Sequence, residues 1–190
     1  MHLTPSLLLA LATLATTTFA GPVPHNFVVA ADDEHRHGGF PPGTPDGFYT
    51  GVVNSADNST HWTLIPDLNI TIPTATIVPS GPALTKRDGV TCEYKLANTY
   101  SVADATTQLS NACGNGYSYS HTVAKISGGA IAYGCDYGNG QTCYFGDVNG
   151  FFNSIRGSCG TSGSNDRSGW YSKSSWKATY GWTTTGNGVC

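Results

Sequence analysis

Few residues in the C-terminal half of this chain have side chains suited to acid-base catalysis. From residue 88 onward there is one histidine, His121, and one glutamate, Glu93. They fall on different predicted elements, whereas a general acid or base must lie within hydrogen-bond reach of the group that it serves. The same region contains no G-x-S-x-G, H-E-x-x-H or phosphate-loop motif. We therefore predict no catalytic site and no cofactor, and we interpret His121 as a hydrogen-bonded strand residue rather than a general base.

Cysteine is the most informative residue type in the chain. There are 6 cysteines, and all of them follow residue 88: Cys92, Cys113, Cys135, Cys143, Cys159 and Cys190. Their spacing contains no C-x2-C pair, which argues against a metal site. An even number of cysteines in a short exported chain is typical of disulfides formed in an oxidising compartment. The pairing stays open, although Cys135 and Cys143 are attractive partners because the loop between them is rich in turn residues.

A pair of adjacent basic residues, Lys86-Arg87, separates two different kinds of sequence. All 10 prolines precede this pair and all 6 cysteines follow it. Processing proteases of the kexin type recognise such a pair and cut after the arginine. We therefore predict that Lys86 and Arg87 form a processing site and that the functional protein begins at Asp88. The alternative is a dibasic pair that occurs on the surface by chance.

Residues 1–20 have the pattern of a secretory signal peptide. Their apolar run, Leu7–Leu14, is too short to cross a bilayer. Ala20 supplies a small residue before the expected cleavage site at Gly21. These features predict a secreted, extracellular protein with no stable membrane insertion.

Residues 21–87 are predicted to be a largely unstructured pro-segment. Within it, two strand-like stretches in residues 48–65 flank a polar loop and predict one hairpin. Because an isolated hairpin is marginally stable in water, this one would need to dock on another part of the chain. Asn58 and Asn69 begin N-glycosylation sequons, which predicts a glycosylated leader.

Residues 88–190 are predicted to form one mature, disulfide-rich α/β domain. Helix-start signals and 3.6-residue periodicity predict a helix opened by Ser101 and a second one opened by Asp147. The second has a clear apolar stripe: Val148, Phe151, Phe152 and Ile155. The last strand alternates large apolar residues onto one face: Trp176, Ala178, Tyr180 and Trp182. The order β-α-β-β-α-β-β favours an α+β fold, a small two-layer sandwich with a mostly antiparallel sheet and two helices on one face.

Charge excludes some classes of partner. From residue 88 onward the basic and acidic residues balance, and the net charge of −3 belongs to the leader. A binder of nucleic acid or of an anionic membrane needs a basic surplus. We therefore expect no nucleic-acid partner. The expected partners are a kexin-type processing protease and an extracellular or host protein target.

The whole layout resembles fungal small secreted cysteine-rich proteins with a kexin-processed pro-segment, a group that includes plant-infection effectors. The residues that carry the resemblance are Lys86-Arg87, the stretch 132–143 from Ala132 to Cys143, Ser158-Cys159-Gly160, Gly169-Trp170-Tyr171, Trp176, Tyr180-Gly181 and Cys190. The order of elements is similar to that of smut-fungus killer toxins and necrosis-inducing effectors, which are compact α/β sandwiches. The resemblance implies a secreted protein that acts by binding, in an effector-like or toxin-like way.

A second resemblance is to small fungal guanyl-specific ribonucleases and their inactive effector relatives. It rests on the length of the mature part, the early helix, Tyr119-Ser120-His121, Asp166-Arg167 and a cysteine at the end. The sequence departs from that family where the chemistry occurs. No glutamate lies in the central strands, and Thr183-Thr184-Thr185-Gly186 stands where that family carries a second histidine. The resemblance therefore implies a ribonuclease-like fold whose hydrolytic activity is lost.

Overall fold

The structure is a computed structural model that describes residues 26–29, 38–57, 59–66 and 88–190. The predicted sites at Ala20, Gly21, Asn58, Asn69, Lys86 and Arg87 lie outside these residues. Among the described residues, three strands precede residue 88: β1 (Asn26–Val29), β2 (Gly47–Val53) and β3 (Thr60–Ile65). We call residues 26–29, 38–57 and 59–66 the N-terminal strand module, and residues 88–190 the C-terminal domain.

The C-terminal domain contains two helices among shorter and longer strands. In order the elements are β4 (Gly89–Asn98), α1 (Thr99–Cys113), β5 (Tyr117–Tyr119), β6 (Thr122–Ser127), β7 (Ala130–Asp136), β8 (Gln141–Cys143), α2 (Phe145–Cys159), β9 (Thr161–Ser162), β10 (Asn165–Lys173), a short 3-10 helix (Ser174–Trp176) and β11 (Ala178–Thr184). The prediction of an α+β fold with two helices and a mostly antiparallel sheet is confirmed. The predicted order of strands was too simple, because β5, β8 and β9 are short strands that periodicity does not reveal.

One sheet runs through both parts of the chain. Its order is β1-β3-β2-β6-β7-β11-β10-β4, β9 pairs with β10, and every pairing among the described residues is antiparallel. The strands β2 and β3 occupy the range predicted to form a hairpin, and β2 pairs with β6 of the C-terminal domain. The sequence predicted this hairpin and its need to dock on another part of the chain, but it did not identify β6 as the partner strand, because strand partners far apart in the chain leave no periodic signal.

Both helices contribute to a single core on one face of the sheet. The buried residues of α1 and α2 share this core with alternate residues of the central strands, including Val123, Ala132, Tyr180 and Trp182. The four apolar residues predicted for the second helix stripe are all buried. Trp176 lies in the 3-10 helix instead of on the last strand and packs at the edge of this core.

Both helices begin earlier than their sequence signals predicted. Asn98 caps α1, its side-chain oxygen accepting the N–H groups of Tyr100 and Ser101 at 3.0 and 3.3 Å. Helix α2 begins at Phe145, which places Asp147 inside its first turn. The residue at its N-cap, Tyr144, forms no side-chain capping hydrogen bond. An asparagine is as good a cap as serine or aspartate. Both N-caps therefore lie three residues earlier than predicted, at Asn98 and Tyr144, whereas helix ends are usually uncertain by only one or two residues.

Three disulfides join elements of the C-terminal domain. They are Cys92–Cys159, Cys113–Cys143 and Cys135–Cys190. The predicted bridge between Cys135 and Cys143 is therefore wrong. Cys143 belongs to the core beneath the helices, whereas Cys135 belongs to a second cluster of apolar residues. The two thus pack into different cores, and their closeness in sequence does not decide the pairing.

This second core joins the N-terminal strand module to the C-terminal domain. Phe40, Tyr49 and Trp62 of the module are each at most 2% exposed. They pack with Ile126, Ile131, Tyr133 and Val189 among other residues of the C-terminal domain. The sheet is therefore covered by helices on one face and, over part of its other face, by side chains from the module.

Candidate functional site

A groove of about 310 Å³ opens beside the second core, on the face of the sheet that the helices do not cover. Its lining contains three aromatic side chains, one carboxylate and two hydroxyl side chains, together with a glycine and a cysteine. The lining residues are Glu93, Tyr133, Tyr137, Trp170, Ser172, Thr179, Gly188 and Cys190. We call it the groove. A concave site with aromatic walls and a few polar groups is the usual form of a binding site in proteins.

Strand alternation places the groove residues on one face. Trp170 and Ser172 are two positions apart on β10, so both side chains point away from the core that holds Tyr171. Ser172 is paired with Thr179 of β11, and their hydroxyl oxygens are 3.5 Å apart. The strands β7, β10 and β11 are neighbours in the sheet, which fixes the spacing between Tyr133 and Trp170.

Two of the aromatic residues that line the groove, Tyr133 and Trp170, approach Gly181 closely. A Cβ atom on Gly181 would lie 2.7 Å from the hydroxyl oxygen of Tyr133 and 2.8 Å from the Cβ of Trp170. It would also lie 2.6 Å from the backbone oxygen of Gly169, which cannot move aside as a flexible side chain could. Position 181 of β11 must therefore be glycine, because Tyr133 and Trp170 lie too close to it for a side chain.

Two hydrogen bonds position polar groups at the rim. One carboxylate oxygen of Glu93 accepts a hydrogen bond from the buried hydroxyl of Ser168 at 3.2 Å. The hydroxyl of Tyr137 donates to the backbone oxygen of Cys190 at 3.4 Å. Although the Tyr137 side chain is about half exposed, burial of its hydroxyl end raises the pKa of the phenol. Tyr137 therefore stays neutral near pH 7, and its hydroxyl can donate a hydrogen bond at the side of the groove.

A second cavity, of about 340 Å³, lies beside the groove and shares Tyr137 and Cys190 with it. Val53 from the N-terminal strand module and His121 and Asp136 from the C-terminal domain contribute to its lining. A histidine and an aspartate therefore line the same cavity, and no lysine or arginine is among its described lining residues.

His121 is not the strand residue that the sequence predicted. It lies in the bend between β5 and β6 with φ of 68°, in the left-handed region that a non-glycine residue rarely occupies. Its backbone oxygen accepts a hydrogen bond from the N–H of Asp136 at 2.7 Å. The carboxylate oxygens of Asp136 accept the N–H groups of Gly138 and Gly140 at 2.8 and 2.7 Å. The observed geometry thus uses both residues to hold the loop that follows β7.

Asp88, the residue after the predicted cut, is anchored to the C-terminal domain. Its carboxylate forms an ion pair with the Lys173 ammonium group and accepts the N–H of Ser174 at 3.0 Å. Its side chain is 0% exposed. The first residue of the predicted mature form is therefore fixed at the start of β4.

Asp166, one of the residues that carry the ribonuclease resemblance, is a buried charged residue. The Asp166 side chain is 0% exposed and accepts hydrogen bonds from Arg156 Nε and Thr99 Oγ1, both at 3.0 Å. This buried group ties α2 to the start of α1. Charge alone did not reveal it, because burial depends on the packing of both helices.

Sequence reasoning missed the groove, although it named Trp170 in a resemblance. The available signal was that Tyr133 and Trp170 are large aromatic residues at strand positions not used by the helix-covered core. No group of three or more histidine, cysteine, aspartate or glutamate residues in the described ranges is arranged to hold a metal. Neither described helix is long and apolar enough to cross a membrane.

Comparison of the chain with protein-family models, with curated proteins and with solved structures finds no significant match. Function must therefore be argued from the groove, the second cavity and the relation between the two parts of the chain.

Proposed function

We propose that this protein is a secreted, non-catalytic binding protein of the effector-like or toxin-like kind that its sequence resembles. In this proposal a kexin-type protease cuts after Arg87, and the processed protein recognises an extracellular or host protein through the groove. The observation that carries the proposal is the composition of the groove, which combines three aromatic side chains with one carboxylate.

The lining favours a basic group on the target. Tyr133, Tyr137 and Trp170 provide aromatic rings, and a cation above such a ring is attracted by roughly 0.5–2 kcal/mol depending on its desolvation. Glu93 is the acidic residue of the lining, and no described lining residue is a lysine or an arginine. An arginine or lysine side chain of a target protein can therefore stack on the aromatic rings of the groove.

Substitutions in the groove test this proposal. The processed protein is used as bait in extracellular fluid from the tissue or microbe that the organism meets, and captured proteins are quantified by mass spectrometry. We expect Trp170→Ala to weaken capture of the specific target by about 30-fold or more, because a buried aromatic anchor contributes about 2 kcal/mol or more. Glu93→Gln, which keeps an acceptor for Ser168, should weaken it as well.

Tyr94→Ala is the matched control for these variants. Tyr94 is an aromatic residue on β4, beside Glu93 in sequence, but it is 92% exposed and lies outside the groove. Capture that is equally strong for all four proteins would show that the groove is not the recognition surface. Near-UV circular dichroism checks that each variant has kept its fold.

Processing makes a separate prediction. We expect mass spectrometry of the secreted protein to find a polypeptide that begins at Asp88, because Lys86-Arg87 is the chain's adjacent basic pair. Secretion of the Lys86→Ala/Arg87→Ala double variant should yield a longer polypeptide. A wild-type product that begins at Gly21 and contains the C-terminal domain in one chain would contradict the processing step.

A ribonuclease-like hydrolase is the second candidate, favoured because His121 and Asp136 line the same cavity. We expect the protein to leave structured and single-stranded RNA intact, because both carboxylate oxygens of Asp136 already accept backbone N–H groups. Gel analysis of RNA after prolonged incubation checks this. Cleavage that disappears in His121→Ala would instead establish the hydrolase.

A further inference from the structure

We propose that the N-terminal strand module stays bound to the C-terminal domain after the chain is cut following Arg87, so that the processed protein consists of two non-covalently associated chains. This inference rests on the processing step of the proposed function. The N-terminal strand module would then be a permanent partner chain of the C-terminal domain and would not be released after cleavage.

The backbone provides the first part of the interface. Strand β2 pairs with β6 over five register positions, from Gly47 opposite Ile126 to Gly51 opposite Thr122. The N–H of Gly186 donates to the backbone oxygen of Phe40 at 2.7 Å. The addition of a strand to a sheet edge is a common mode of protein recognition because main-chain hydrogen bonds hold the added strand.

A charged hydrogen bond fixes the register of this strand pair. The backbone N–H of Gly128, in the turn between β6 and β7, donates to both carboxylate oxygens of Asp46 at 2.9 and 3.0 Å. Hydrogen bonds to an ionised acceptor are stronger than those between neutral groups. Asp46 therefore marks one end of the interface.

Buried rings provide the second part. Phe40 is 1% exposed, and its ring centroid lies 4.1 Å from that of Trp62 and 5.1 Å from that of Tyr49. These three rings cover Ile131 and Tyr133 of the C-terminal domain within the second core. Dissociation of the module would expose aromatic and aliphatic surface on both chains to water, which strongly opposes it.

The module also fits the other face of the sheet and the C-terminal segment. Phe48 belongs to the core beneath the helices and meets Tyr117 edge to face at 5.8 Å. Gly39 lies so close to the C-terminal segment that a Cβ atom there would be 1.8 Å from the backbone oxygen of Asn187. Contacts of the module therefore extend over both faces of the sheet as well as along its edge.

A cut after Arg87 removes none of these contacts. All three strands of the module end by Ile65, and β4 begins at Gly89 at the opposite edge of the sheet. No disulfide joins the module to the C-terminal domain, since all six cysteines pair within the latter. Within the described residues, the two chains are thus held by strand pairing, the Asp46 hydrogen bonds and apolar burial, with no covalent bond between them.

The experiment makes the cut at a controlled time. Residues 82–87 are replaced with the recognition sequence of a site-specific protease, and the purified exported protein is cut to completion. We expect the two polypeptides to elute together in size-exclusion chromatography at a ratio of about one to one, and to separate in denaturing, non-reducing electrophoresis. Elution of the C-terminal domain without the N-terminal fragment overturns the inference.

Two variants test the interface itself. Phe40→Ala should weaken retention of the fragment on the order of 100-fold, because loss of a buried aromatic ring costs several kcal/mol and each tenfold change in affinity corresponds to about 1.4 kcal/mol. Val52→Ala, on β2 but 51% exposed, should keep the fragment bound. Equal retention by both variants would show that the second core does not hold the chains together.

The same design separates this inference from the processing step. If the unmodified chain resists a kexin-type protease while the engineered cut leaves both polypeptides bound, the processing step fails and the interface stands. If the unmodified chain is cut and the fragment is lost, processing stands and the two-chain inference fails.

Discussion

Replacing Trp62 with alanine is expected to lower the free energy of unfolding of the uncut chain by about 3–5 kcal/mol. Trp62 is 1% exposed, and its indole N–H donates to the backbone oxygen of Gly38 at 3.2 Å. Its removal would leave a cavity between β3 and Phe40 and would leave the Gly38 oxygen without that bond. Because Trp62 precedes the predicted cut, the loss would also measure how far the leader stabilises the whole fold.

Urea unfolding of the uncut protein, followed by circular dichroism, measures this loss. The control is Val52→Ala, which shortens a half-exposed side chain of the neighbouring strand and should cost less than about 1 kcal/mol. An unfolding midpoint for Trp62→Ala that matches the wild type would mean that the N-terminal strand module contributes nothing to stability. The second core would then not be what joins the module to the C-terminal domain.

Replacing Trp182 with alanine is expected to be equally damaging, at about 3–5 kcal/mol, for a different part of the fold. Trp182 is 1% exposed on β11, near Phe152 of α2 at a ring distance of 6.2 Å. The guanidinium carbon of Arg156 lies 6.0 Å from its ring centroid. The variant would therefore lose apolar burial and a cation–π contact on the helix-covered face together.

Thermal unfolding of Trp182→Ala should show a midpoint lower by roughly 6–20 °C, because each kcal/mol corresponds to about 2–4 °C in a chain of this length. Trp182→Phe should recover much of the loss, since the indole N–H of Trp182 has no hydrogen-bond partner among the described residues. Trp176→Ala should cost less, because Trp176 is partly buried at the edge of the core. A larger loss for Trp176→Ala than for Trp182→Ala would contradict this order.

The helices were predictable because their signal is local. Val148, Phe151, Phe152 and Ile155 repeat at helical spacing, and all four are buried. The last strand was predictable for a similar reason, since Ala178, Tyr180 and Trp182 alternate onto the core. Trp176 fits the same alternation by sequence, but it lies outside the strand. Lys177, with φ of 51°, separates the 3-10 helix that contains Trp176 from β11, which begins at Ala178. Backbone dihedrals of single residues leave no trace in a hydrophobic pattern.

The disulfides, the extent of the sheet and the groove were not predictable in this way. Cys135 and Cys143 are close in sequence, but they pack into different cores. The strands β2 and β6 lie on opposite sides of Lys86-Arg87 in the sequence. No short-range sequence pattern specifies their pairing. The groove gathers residues of β4, β7, β10 and β11, so its existence depends on the strand order.

The register between β10 and β11 separates the residues that line the groove from those that form the core beneath the helices. Tyr171 pairs with Tyr180, and both side chains belong to the core beneath the helices. The adjacent pair, Ser172 with Thr179, points into the groove. A substitution at 172 or 179 alters what the groove accepts while the neighbouring tyrosine pair stays packed. Under the proposed function, substitutions at these two positions would change which target is bound while the core that carries the groove keeps its packing.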